Sequence, residues 1–131
     1  MKHFFFALAI ACLFSCSKEQ TIQPIDGTWT IIETNAGTGY GVQVQTYAPS
    51  SETTVQFAAN GQLIVTGTNP GQAMSPLWEF DRYELLPDQI IRFYQSNGQE
   101  EMKAFMTLDG NLFLNYLSAR CEFEEKYIRL K

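Results

Sequence analysis

Few side chains in this sequence are suited to acid–base or metal chemistry. Histidine occurs once, as His3, inside an apolar run near the N-terminus that we expect to be removed. Ser-His-Asp triads, Cys-His pairs and most zinc sites need a nitrogen that titrates near neutrality or ligates a metal. The remaining chain offers no imidazole for these sites. We therefore predict a protein that is not an enzyme and that carries no metal and no cofactor.

Carboxylates are the other group able to do chemistry here. Glu79 and Asp81 share one face of a predicted strand, Glu122 and Glu124 share another, and Glu100–Glu101 flank a turn. Acid–base hydrolysis needs two carboxyl groups facing each other across a cleft, ~5–9 Å apart and with different pKa values. Neighbours on one strand face do not supply this arrangement. We expect these carboxylates to lie on a solvated outer surface.

Cysteine is the third reactive side chain. Cys16 lies where an apolar run ends and a mainly polar segment begins. Lys2 precedes an apolar run from Phe4 to Phe14, which is too short to cross a bilayer because crossing needs ~20 residues. The run therefore predicts a cleaved signal peptide over residues 1–15. Ser15 places a small residue directly before the nucleophilic thiol of Cys16.

The segment Leu13-Phe14-Ser15-Cys16 resembles the lipobox of bacterial lipoproteins. In that family the cysteine thiol takes a diacylglyceryl group and becomes the mature N-terminus. The resemblance implies lipidation at Cys16, with palmitate-type chains attaching the protein to a membrane, and each buried CH₂ contributes ~0.8 kcal/mol. Ser17 stands where Asp would signal inner-membrane retention, which favours the outer membrane of a Gram-negative bacterium. Acylation at Cys12 and an ordinary secretory signal remain alternatives.

The rest of the chain suits one domain preceded by a linker. We predict a lipidated N-terminus and flexible linker over residues 16–24, ending at Pro24, and a single domain over residues 25–131. The chain has 9 basic and 14 acidic residues, a net charge of −5. This balance argues against binding nucleic acid, because phosphates require Lys and Arg. Cys121 would be unpaired, and we expect it to be a small buried apolar residue.

Alternation of apolar and polar residues predicts about eight short strands joined by tight turns. Asn60-Gly61, Asn97-Gly98 and Asp109-Gly110 are strong hairpin signals. We predict strands over residues 26–34 and 77–86, the second with a bulge near Asp81 because its apolar parity changes there. Residues 40–47 fit either a strand or a mobile loop. The short turns favour an all-β, up-and-down antiparallel β-barrel over a β-sandwich.

Gly27-Thr28-Trp29 resembles the Gly-x-Trp signature in the first strand of the lipocalin family, and the segments Thr54–Gly61 and Met106–Leu114 resemble small lipocalin-like lipoprotein domains. The resemblance implies a barrel sealed at one end by Trp29. It also implies that a late arginine, Arg129 or less well Arg120, stacks over the Trp29 ring by a cation–π contact.

The predicted barrel interior is rich in aromatic and Met side chains, which are the candidates for lining a ligand site: Phe57, Val65, Trp78, Phe80, Phe93, Met102, Met106, Leu114 and Tyr116. An eight-stranded barrel is either packed solid or holds one small ligand. Two functions follow. The first is binding of a small hydrophobic molecule in the barrel. The second is a packed adaptor or inhibitor that contacts another envelope protein through loop residues such as Tyr40, Tyr47 and Met74.

Overall fold

The computed structural model describes residues 24–38, 40–68, 75–117 and 123–131. The described elements are one 3₁₀ helix, Pro76–Glu79, and nine strands: β1 (Gly27–Thr38), β2 (Gly41–Thr46), β3 (Thr54–Phe57), β4 (Leu63–Thr66), β5 (Arg82–Leu86), β6 (Ile90–Tyr94), β7 (Glu101–Asp109), β8 (Asn111–Tyr116) and β9 (Phe123–Arg129). Within these ranges no helix is long and apolar enough to cross a membrane. The predictions for the signal peptide, the linker up to residue 23, Cys16, Met74, Arg120, Cys121 and Glu122 lie outside the described residues.

The strands form one antiparallel sheet in the order β4-β3-β1-β9-β8-β7-β6-β5, with β2 also paired to β1. A bridge between Gln62 and Arg82 joins β4 to β5 and brings the sheet close to full closure. Since β2 and β3 run one after the other along the same edge of β1, nine strands fill eight positions. The predicted all-β, up-and-down antiparallel barrel is confirmed.

Strand β1 is longer than the sequence predicted. It continues to Thr38 because its second half pairs with β2 on one edge and with β9 on the other. The register with β9 shifts between Ile31 and Glu33, so Ile32 is an extra, bulged residue. Trp29 points inward before this bulge. Residues 40–47, which fit a strand or a loop, contain strand β2.

The predicted strand over residues 77–86 is wrong in its first half. Pro76–Glu79 forms a 3₁₀ helix, and β5 begins only at Arg82. Proline at the first helical position favours this turn because its backbone is already set near helical φ. The apolar residues of this segment therefore change from one alternating set of positions to the other because of a helical turn, and not because of a bulge near Asp81. Glu79 consequently does not share a strand face with Asp81.

The hairpin turns and the later strands agree with the sequence prediction. Gly61, Gly98 and Gly110 have positive φ at the three predicted turns. Strands β6, β7 and β8 alternate buried and more exposed residues as expected. The inward side chains of the described strands pack into one hydrophobic core.

Candidate functional site

The predicted signature residues lie together at one end of the barrel, where β1 begins and β9 ends. Trp29 is 1% exposed, and its Nε1 donates to the Ile25 carbonyl at 2.9 Å. The Arg129 guanidinium lies 4.4 Å from the Trp29 ring centre and donates to the carbonyls of Asp26 and Pro24. A Cβ on Gly27 would lie 2.7 Å from this guanidinium. Gly27, Trp29 and Arg129 therefore come together, and their contacts present no reactive group.

The nine candidate ligand-lining residues also come together, but most of them are core. Phe57, Phe80, Phe93, Met106, Leu114 and Tyr116 are buried, and Val65, Trp78 and Met102 are partly buried. The Phe93 ring centre lies 6.4 Å from those of Phe57 and Phe80 and 6.3 Å from that of Tyr116.

A side chain without accessible surface contacts no open space. Phe57, Phe93 and Leu114 are at most 1% exposed and belong to the hydrophobic core, so these three side chains have no surface accessible to a ligand in the described structure. An aromatic ring in close contact with its neighbours gains dispersion energy that an open pocket would forfeit. Val65, Trp78 and Met102 are the candidates that keep part of their surface accessible.

The sequence prediction missed one buried carboxyl in the interior. Glu125 is fully buried, and its Oε2 accepts hydrogen bonds from the hydroxyls of Tyr116 at 2.5 Å and Tyr127 at 2.8 Å. Burial raises the pKa of Glu125 to about 7, against the opposing effect of hydroxyl donors at Ser75 and the two tyrosines. Burial also raises the pKa of both tyrosines well above the usual value. The sequence contains an indication of this burial, because Glu125 alternates along the strand with Phe123 and Tyr127 and therefore points inward with them.

Four of the predicted outer carboxylates, Glu79, Asp81, Glu100 and Glu101, are exposed, whereas Glu124 is partly buried and Glu122 lies outside the described residues. Asp81 is exposed and accepts hydrogen bonds from the backbone and the hydroxyl of Ser96, which lower the pKa of its carboxyl. Glu101 joins Glu84 in contacting Arg92, at 2.7 Å and 3.3 Å. These contacts are surface ion pairs and hydrogen bonds of the kind that contribute little to stability. They do not form a cleft with opposed carboxyls.

The segment between β2 and β3 leaves a hollow in the barrel wall. Thr30 has no strand partner on this side, and its hydroxyl donates to the Thr53 carbonyl at 2.9 Å. Tyr47 packs against the core, and its hydroxyl lies 3.3 Å from that of Thr34. The hollow has a volume of about 360 Å³, and its lining is uncharged and mainly hydroxyl-bearing: Thr30, Ile31, Thr46, Tyr47, Ala48, Ser50 and Thr53.

Strand β2 is the most exposed element of the described barrel. All six of its residues are exposed, with Val42 at 66% and Val44 at 57%. Within the described ranges it is hydrogen-bonded to β1 along one edge only. Val42 and Val44 are opposite Gly37 and Asn35 of β1, so they lie on the outer face of the sheet. The barrel therefore presents a strand edge with apolar side chains beside it.

A row of cross-strand partners continues from β2 over the outer face. Val44, Asn35, Glu124, Asn115 and Phe105 are successive register partners on β2, β1, β9, β8 and β7. The two ends of the row are apolar and exposed, and its centre is a carboxylate between two carboxamides.

A groove of about 230 Å³ opens at the centre of this row, and residues of four strands line it: Asn35, Gly37, Val42, Asn115, Phe123 and Glu124. Comparison with protein-family models, with curated proteins and with solved structures gives no match for this chain.

Proposed function

We propose that this protein is a non-enzymatic, lipid-anchored lipoprotein of the outer membrane that contacts another envelope protein through strand β2. The anchor would be Cys16, and the lipocalin-like barrel would hold β2 at a fixed position away from the membrane. The observation that carries the proposal is the exposure of all six residues of β2 together with pairing along one edge in the described structure. The packed rings around Phe93 favour this contact function over a ligand deep in the barrel.

Strand β2 contains no charged residue and no proline of the kind that protects exposed strand edges, and its described pairing with β1 contains no bulge. Natural edges carry charged residues, prolines or bulges, because an open edge pairs with other chains. The segment Gly41–Thr46 contains only Gly, Val, Gln and Thr. Strand addition would satisfy the backbone groups of Val42 and Val44 that face away from β1 with an extended segment of the partner, and the two valine side chains would contact alternate side chains of that segment.

The test places a photo-crosslinking amino acid at Gln43 in living cells and identifies the covalent adducts. We expect an adduct with an envelope protein in the parent and a loss of at least about fivefold when Val42→Lys and Val44→Lys are combined. Phe105→Lys is the matched control, because Phe105 is 49% exposed but lies on a strand paired along both edges. Equal adduct yields in the parent and the double variant would contradict the proposal.

The anchor is tested separately by metabolic labelling with a fatty-acid analogue. We expect Cys16→Ser to lose the label and to leave the membrane fraction, because acylation requires the Cys16 thiol. Cys12→Ser is the matched control and should keep the label. Labelling of the Cys16→Ser protein would show that the lipid is attached elsewhere.

A small hydrophobic ligand is the second candidate function. It is favoured by Trp78, which is partly buried against the core and whose buried Nε1 has no hydrogen-bond partner among the described residues. A ligand acceptor near this indole would satisfy the donor. Titration with a long-chain fatty acid should then change the fluorescence of the parent and leave the Trp78→Phe variant unchanged. No change in the parent, with no lipid co-purifying, would exclude this candidate.

A further inference from the structure

We propose that the outer-face groove next to β2 binds a cationic side chain, a guanidinium or an ammonium, presented by the partner protein. This inference adds a ligand class to the proposed contact function and does not require strand pairing at β2. The groove is centred on Glu124, which has Asn35 of β1 and Asn115 of β8 as its direct register partners. Side chains at such positions lie side by side, with Cβ atoms ~4.5–5.5 Å apart.

The three polar side chains are available to a ligand. Asn35, Glu124 and Asn115 make no side-chain hydrogen bond and no ion pair with one another or with other residues in the described ranges. A carboxylate accepts two parallel N–H bonds from a guanidinium. The amide oxygens on either side of Glu124 can accept further N–H groups. The carboxylate at the centre of the set carries a negative charge and only accepts hydrogen bonds, so the set is suited to a cation and poorly suited to an anion.

The walls of the groove complement the flat shape of a guanidinium. Gly37 has no side chain, so the sheet face is open there, and Val42 gives an apolar wall. Phe123 borders the groove as well, but its ring lies on the inner face of the sheet, where it stacks on Tyr116 at a centroid distance of 5.7 Å, so the ring is not a wall of the groove. The apolar stem of an arginine side chain can pack against Val42 while its guanidinium reaches Glu124.

The surrounding charges allow a cation to enter. Lys126 lies two residues beyond Glu124 on the same strand, but its Nζ is held 5.5 Å from the Phe113 ring centre. In the described structure Lys126 makes no ion pair with Glu124. The net charge of the chain is −5, so the overall field also attracts a positively charged partner.

The experiment is an NMR titration of the full protein in detergent micelles with N-acetyl-arginine amide. The neutral isostere N-acetyl-citrulline amide is the matched probe. We expect saturable shifts at the side-chain amides of Asn35 and Asn115 with arginine, in the millimolar range. Affinity should be at least about fivefold weaker with citrulline and in the Glu124→Gln variant, because the charge-assisted bonds are lost. Glu52→Gln removes the same charge from an exposed loop and should behave as the parent.

Three results would overturn the inference: no saturable shift with arginine, equal affinity for arginine and citrulline, or equal affinity in the parent and Glu124→Gln. Asn115→Ala is a second variant that keeps the carboxylate and should weaken binding through the loss of one amide. The Val44 N–H faces the open edge of β2, because Val44 and Asn35 form a non-hydrogen-bonded pair, so Val44→Pro should prevent strand addition, keep the β1–β2 ladder and leave the titration unchanged. Failure of the strand contact and failure of the cation site are thereby separated.

Discussion

Trp29 is the largest fully buried side chain of the described barrel, and it contacts Ile25 and Arg129, which lie at the start of the first strand and at the end of the last. Ile25 lies just before β1 and accepts the indole N–H, and Arg129 lies at the end of β9 and covers the ring. The contact therefore ties the first and last strands of the domain together at one end. Arg129 is held in place by two backbone carbonyls, so its position over the ring does not depend on a surface ion pair.

Replacing Trp29 with alanine should lower the free energy of unfolding by about 3–5 kcal/mol, because it leaves a large cavity in a packed interior. Denaturant titration measures this change. Trp78→Ala is the matched control, since Trp78 is only partly buried and should cost less. A loss below about 1 kcal/mol for Trp29→Ala would mean that the ring does not seal the barrel.

Glu125 makes the stability of the fold depend on pH. The folded protein holds the carboxyl proton up to a pKa of about 7, whereas the unfolded chain releases it near 4.5. The folded state therefore binds more protons between these values, and the free energy of unfolding falls as the pH rises through this window. The difference corresponds to about 3 kcal/mol.

Glu125→Gln should remove this dependence while keeping an acceptor for the hydroxyls of Tyr116 and Tyr127. Denaturant titrations between about pH 4 and pH 8 should show the parent losing about 3 kcal/mol more than the variant. Glu100→Gln, at an exposed position, is the control and should follow the parent. A parent curve parallel to that of Glu125→Gln would show that the carboxyl ionises freely in the fold.

At the scale of elements, the sequence predicted those features that short-range chemistry decides. Asn60-Gly61 and Asp109-Gly110 favour tight turns by themselves, and alternation in β7 and β8 follows from one face being buried. The 3₁₀ helix Pro76–Glu79 was missed because Leu77, Trp78 and Phe80 satisfy a strand pattern as well as a helical turn. Only the packing of Leu77 in the core separates these alternatives.

The candidate contact site also could not be predicted from local sequence patterns. Exposure of β2 depends on β3 replacing it as the partner of β1, which local pattern does not reveal. The groove joins residues from β1, β2, β8 and β9, so it depends on long-range register. Glu125 is different: its inward position follows from alternation in β9, but a carboxylate is rarely expected inside a barrel.

Gly67 provides a prediction about how β3 and β4 are held together. It follows β4 with φ +86°, and a Cβ added there would lie 2.0 Å from the carbonyl oxygen of Glu52, just before β3. Gly67→Ala must therefore move backbone and also adopt an unfavourable φ. Gly98 has φ +74° with nothing within 4 Å of an added Cβ, so Gly98→Ala has only the conformational cost.

Thermal or chemical unfolding should show Gly98→Ala losing about 1 kcal/mol and Gly67→Ala losing at least twice as much. The difference between the two losses measures the steric cost of the added Cβ at Gly67, because both glycines have φ in the left-handed region. Equal losses for the two variants would mean that the backbone around Glu52 yields without cost, and that the start of β3 is not fixed by its contact with Gly67.

At the scale of the whole molecule, closure of the barrel is uneven. Strands β1, β7, β8 and β9 pair with long registers, whereas β4 and β5 meet at the bridge between Gln62 and Arg82. Two backbone hydrogen bonds support this seam: Leu63 donates to the Asp81 carbonyl and Tyr83 to the Gly61 carbonyl, each at 2.9 Å. The described barrel is therefore nearly closed, and a short joint connects β4 to β5.

The Tyr83 side chain also links elements of the barrel at this short joint. Its hydroxyl donates to the Ala58 carbonyl at 2.7 Å and lies 3.2 Å from the Asp26 carboxylate, linking β5 to the β3–β4 turn and to the start of β1. Burial and the nearby Asp26 charge raise the pKa of Tyr83 to about 12, so the hydroxyl remains a donor at neutral pH. Loss of this hydroxyl should weaken the seam selectively.

Hydrogen exchange followed by mass spectrometry tests the seam directly. Local opening is cheapest where few backbone bonds must break, so peptides covering residues 58–66 and 80–86 should exchange at least about tenfold faster than those covering β8 and β9. Tyr83→Phe should speed exchange of the first two peptides further and leave β8 and β9 unchanged. Tyr94→Phe, on the neighbouring strand β6, is the control because its hydroxyl forms no bond across the seam among the described residues. Uniform exchange in all strands would show instead that the barrel opens as one cooperative unit.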